Sequence, residues 1–172
     1  VQFNDGGTDF GGESEFTYAK AGSGILKVGT IVTNDADAGR IGVVSIGSGA
    51  YSTVDYGISI GSSATTTVSK SVAIGNSASA GGGANPSVAI GASAVANGTR
   101  AVTIGHLSSA SAEGVAVGGY AGAASNSIAI GHTADAPGGG GIGIGQSSNA
   151  NDVNAISIGS DSDAGHESIS IG

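Results

Sequence analysis

A four-residue signature, apolar–small–apolar–Gly, recurs ten times and limits the chain to folds made by stacking one small unit. The first copy is Val44-Ser45-Ile46-Gly47 and the last is Ile169-Ser170-Ile171-Gly172. The closing glycines are Gly47, Gly61, Gly75, Gly91, Gly105, Gly118, Gly131, Gly145, Gly159 and Gly172, at steps of 14, 14, 16, 14, 13, 13, 14, 14 and 13 residues. Leu26-Lys27-Val28-Gly29 has a related pattern but lies 18 residues before Gly47, outside this spacing, and is not counted. Alternation of β-branched residues with period two marks a short strand. The glycine after it supplies a corner, either because a side chain would obstruct it or because the backbone needs positive φ. Ala or Ser follows three residues later (Ala50, Ala64, Ala78, Ala94, Ser108, Ala121, Ala134, Ser148, Ser162), which predicts a second small-residue strand. Two strands and two corners per period predict an all-β parallel β-roll of about ten coils of 13–16 residues, roughly 45 Å long at about 4.8 Å per coil.

Composition agrees with a thin, regular structure. The 172 residues include 34 Gly, three Phe and four Tyr, with no Trp, Met or Cys. Ala, Val and Ile make up most of the apolar content and fill only a narrow core. The absence of Cys removes disulfides and thiolate metal sites. Five Lys and Arg against 13 Asp and Glu give a net charge of −8, so nothing attracts a nucleic acid. No apolar run is long enough to span a bilayer as a helix, and no signal peptide opens the chain. The sequence starts at Val1 and stops on a signature, which reads as a fragment whose targeting and anchoring segments lie elsewhere.

The residue between the two apolar positions is Ser45, Ser59, Ala73, Ala89, Thr103, Ala116, Ala129, Gly143, Ser157 and Ser170 in turn, never charged and never large. If Val and Ile point into the roll, with Ile74 and Ile90 as examples, this column faces outward. Small size then has two explanations. Either small residues merely suit a tight coil, or another chain packs closely on this face. A thin roll with few aromatics buries too little surface to stand alone, so the expectation is that these ten residues form an inter-chain face.

Ser71-Val72-Ala73-Ile74-Gly75-Asn76-Ser77-Ala78 and Ser87-Val88-Ala89-Ile90-Gly91-Ala92-Ser93-Ala94 resemble the head repeats of YadA-like trimeric autotransporter adhesins. The resemblance covers residues 44–172. It implies a left-handed roll assembled as a homotrimer, with heads that bind host matrix proteins or cells and with no catalytic or cofactor residues. No heptad stalk, neck or terminal membrane-barrel pattern accompanies it. Residues 1–43 differ in character: Val1-Gln2-Phe3-Asn4-Asp5-Gly6-Gly7, Phe10-Gly11-Gly12, Phe16-Thr17-Tyr18 and Ile25-Leu26-Lys27-Val28 resemble an element of bacteriophage tail-fibre proteins. This segment is read as a cap or junction, because a solenoid's first coil otherwise presents an unpaired edge.

No motif carries enzyme chemistry. Gly81–Gly83 and Gly138–Gly141 lack a following Gly-Lys-Ser/Thr and read as corner loops, together with Pro86 and Pro137. His106 and His132 lie two coils apart, about 9.6 Å, too far to share one metal. His166, the pair Asp161 and Asp163, and Asn34-Asp35-Ala36-Asp37 match no known metal or calcium loop. Asn97-Gly98-Thr99 fits a glycosylation acceptor but reads as a turn. No catalytic, cofactor or metal residues are therefore assigned. The function expected is a non-enzymatic virion fibre segment of a phage, extracellular, attached to other virion proteins and contacting the host surface. The alternative is the head of a bacterial trimeric adhesin at the cell surface, binding host matrix. Neither reading includes a nucleic-acid partner or membrane insertion by this segment.

Overall fold

The computed structural model describes residues 31–32 and 40–172, and every strand pairing among them is parallel. The first strands are β1 (Ile31–Val32), β2 (Val44–Ile46) and β3 (Tyr51–Ser52). From β2 onward, three-residue signature strands alternate with two-residue strands. The signature strands and β1 form one sheet of eleven, and the short strands form a second sheet of nine. Ten signature strands thus enclose nine complete turns of an all-β parallel solenoid. Register is strict: Ile128, Ala129 and Ile130 pair with Val115, Ala116 and Val117 on one side and with Ile142, Gly143 and Ile144 on the other.

β1 pairs Ile31 with Val44, thirteen residues on, so the long sheet begins ahead of residue 44. Sequence reasoning passed over this strand because Asn34 stands where a corner glycine would mark it. The aromatic segment of residues 1–30, Leu26 to Gly29 and the Asn34–Asp37 acidic group lie outside the described residues.

Each coil turns twice. At the first corner, a backbone N–H three residues after the signature glycine donates to that glycine's carbonyl, as from Ala64 to Gly61 at 3.1 Å. The second corner repeats the arrangement, as from Ala101 to Gly98 at 3.2 Å. Gly131 shows why the signature ends in glycine. Its φ of 140° lies where side chains are disfavoured, and a Cβ there would fall on the carbonyl of Gly145 one coil on. The third residue of each turn is also left-handed, yet it is mostly not glycine: Ser63, Ser77, Ser93 and Ser147 have φ of 53–56°.

The orientation of the strands reverses the expectation from sequence. The middle residues Ser45, Ser59, Ala73, Ala89, Thr103, Ala116, Ala129 and Ser157 are fully buried inside a single chain. Gly143 is buried with them, and only Ser170, on the last strand, is partly open. Val and Ile of the signature lie on the outside, with Ile74 and Ile90 half-buried and Ile104, Ile130 and Ile158 at 38–40% exposure. The physical reason is the short corner. Sheets packed through ordinary side chains stand about 10 Å apart, a gap that a three-residue turn cannot span when Ile faces Ile. Small residues suit a tight coil, and the interior is made of them. Ala50, Ala64 and Ala78 at the corners and Ala80, Ala96 and Ala110 of the short strands complete it. Its hydroxyls are mostly internally bonded, as in Ser59 Oγ with Thr66 Oγ1 at 3.0 Å and Ser157 Oγ with Ser162 Oγ at 2.7 Å.

Candidate functional site

Because the small column is interior, the ten residues from Ser45 to Ser170 do not form an inter-chain face. The surface available for one is the outer side of the long sheet, where each described signature strand presents two branched apolar side chains, Val or Ile. Val102, Ile104, Val115, Val117, Ile128 and Ile130 illustrate three successive levels of it. Ladder pairing stacks them in two columns along the roll. Contiguous apolar patches at a protein surface are where interaction sites tend to lie.

The outer side of the short sheet is different. It carries Thr65, Ser79, Val95, Ser109, Gly122, Asp135, Asn149 and Asp163 in register. Asp135 leans over Gly122, whose missing side chain leaves room for the carboxylate. Partial burial raises the pKa of Asp135 above 3.8, and a hydrogen bond to the Ala136 backbone opposes the shift. The folded state therefore prefers the protonated acid. A penalty accumulates as pH rises through 3.8 and levels off above the folded value. Asp135→Asn should raise the melting temperature slightly at pH 7, with the gain vanishing below pH 3.8 in parallel thermal melts. The effect is small because much of the group is in water. An equal gain at both pH values would assign it to something other than charge.

The remaining sequence candidates are dispersed. Asp161 sits at a corner with φ of 58°, Ser162 points inside, and Asp163 lies on the outer side of the short sheet. His166 lies 4.0 Å from its sequence neighbour Glu167. Among the described residues no three His, Cys, Asp or Glu come together as metal ligands. No helix there is long and apolar enough to cross a membrane. Asn97 is exposed at the end of a short strand, and the turn that follows closes from Gly98 to Ala101. The loop of Gly81 to Gly83 lies against Thr67, Asn97 and Thr99 of neighbouring coils. One grouping was not foreseen: Tyr120 stands between His106 and His132, with ring centroids 5.3 and 5.9 Å apart and edge-to-face geometry on both sides. Gly119 stands in the column of His106 and His132, where an added Cβ would lie 3.4 Å from His132 Cδ2.

A parallel solenoid of short coils with small residues inside and two branched columns outside defines a class of stacked, non-globular repeat modules. No protein-family model and no curated protein matches the sequence. Among solved structures, the chain is similar to the collagen-binding domain of the Yersinia adhesin YadA, at 28% identity and a TM-score of 0.63, covering 77% of this chain and 82% of that one. The coils are YadA-like head repeats. The likeness is to an adhesin domain, a non-enzymatic kind of protein, and it favours the adhesin-head alternative over the virion-fibre reading.

Proposed function

We propose that this chain is the head segment of a homotrimeric adhesin at a bacterial cell surface, binding an extracellular matrix protein of the host. The observation that carries the reading is the doubled column of outward Val and Ile. Left in water, it is a large apolar surface on a roll whose own interior is little more than Ala and Ser. Covered by copies of itself, it supplies the burial that a thin coil lacks. The adhesin-head resemblance implies three copies, and the likeness to a collagen-binding domain supports a matrix partner.

Light scattering on the purified 16.0 kDa chain should give about three times that mass at micromolar concentration. Immobilised collagen should retain the assembly in a surface-binding assay, and serum albumin should not. A folded, stable single chain would overturn the trimer. Equal retention on both surfaces would overturn the matrix reading.

A further inference from the structure

The rings of His106, Tyr120 and His132 lie on three successive coils of one corner, and Leu107 lies beside them, 44% exposed. In other coils the same position carries Ser48, Ser62, Asn76, Ala92, Gln146 and Ser160, all exposed and none of them aromatic. Tyr120 is 54% exposed and its φ is 60°; Leu107 has φ of 55°. Bulky residues are uncommon in this left-handed conformation, and four other coils fill the position with serine. Here the chain keeps large apolar groups at a site where local preference favours small polar ones.

The spacing indicates what fits. Equivalent positions two coils apart are separated by about 9.6 Å along the roll. A polyproline II strand has three residues per turn and rises about 3.1 Å per residue, a repeat of about 9.3 Å. A strand running along the corner would therefore set every third residue against an imidazole, His106 or His132, with the Tyr120 ring between. Aromatic surfaces are the usual partner of such rigid, ring-rich strands. Charge agrees with an uncharged ligand. Arg100, which precedes these coils, and Glu113, which lies within them, form an ion pair with each other at the opposite corner, and no other Asp, Glu, Lys or Arg lies between His106 and His132 in sequence.

We propose that the ladder of His106, Tyr120 and His132, with Leu107, is the contact strip for a proline-rich polyproline II strand of collagen type lying along the roll axis. This deepens the adhesin-head reading and rests on it. The test uses the intact wild-type assembly and a synthetic triple-helical peptide of Gly-Pro-hydroxyproline repeats, with whole collagen alongside. Tyr120→Ser places at this corner the residue that Ser63, Ser77, Ser93 and Ser147 show to be compatible with its backbone. Tyr56→Ser is the control, since Tyr56 is also exposed, at 51%, and left-handed, but sits at the other corner. Tyr120→Ser should weaken peptide binding about tenfold or more, the usual loss for an aromatic anchor. His106→Ser combined with His132→Ser should do the same, and Tyr56→Ser should leave binding unchanged. Melting curves verify that each variant is folded. Wild-type affinity in folded Tyr120→Ser would overturn the strip and leave the adhesin reading standing. If the wild-type assembly binds neither the peptide nor whole collagen, the collagen-type partner falls, and the strip with it.

Discussion

Ala129→Lys is expected to unfold the coils around it in each chain, and not merely to loosen an assembly. Ala129 is completely buried, stacked between Ala116 and Gly143 in adjoining coils. The room at that level can be read from Gly143, where even a methyl group would stand 2.9 Å from the carbonyl oxygen of Asp135. A lysine side chain has no path to water from there. Overpacking alone costs about 1–3 kcal/mol, and an unpaired ammonium without hydrogen-bond partners adds several more. The sum is comparable to the whole stability of an ordinary domain, about 5–15 kcal/mol. In a solenoid each coil is held by its neighbours, so the damage should divide the roll at this level. Far-ultraviolet circular dichroism should show loss of β signal, with the remaining transition broadened and shifted down. Retained β signal and wild-type melting would mean that the Ala129 side chain points outward after all.

The repeat made the architecture legible. Apolar alternation gave the signature strands, the period gave the coil, and the regular glycine steps gave parallel stacking. The direction of the side chains was not legible, because period two assigns residues to two faces without saying which face is inside. The usual association of Val and Ile with a core pointed the wrong way. What decides is the gap between the sheets, set by turns that close over three residues, as from Gly61 to Ala64. The length of those turns is visible in the spacing from glycine to alanine, but its consequence for sheet separation belongs to the folded coil. The left-handed serines of the corners were equally hidden, since glycine is the residue that normally reports positive φ. The ring ladder escaped because His106 and His132 were weighed as a metal pair. Tyr120, one residue out of their column, had no motif to flag it.

Replacing Ile130 and Ile144 together by lysine should separate the chains while leaving each coil wound. Both side chains lie on the outer side of the long sheet, at 39% and 36% exposure, so long polar substitutes can extend into solvent in an isolated chain. Covering the part of one such isoleucine still open to water is worth roughly 1–2 kcal/mol at about 25 cal/mol per Å². With two per chain and three chains, the loss is roughly 6–12 kcal/mol as an upper bound. Six ammonium groups brought to adjoining levels would add repulsion and desolvation. Light scattering should fall from about three chain masses towards 16.0 kDa, and β signal should persist at low temperature with a lowered melting point. Ser109→Lys, on the exposed side of the short sheet, should change stability by no more than about 0.5 kcal/mol. If the double variant keeps the wild-type mass and melting, the copies meet on some other face of the roll. If Ser109→Lys dissociates them instead, that face is the short sheet.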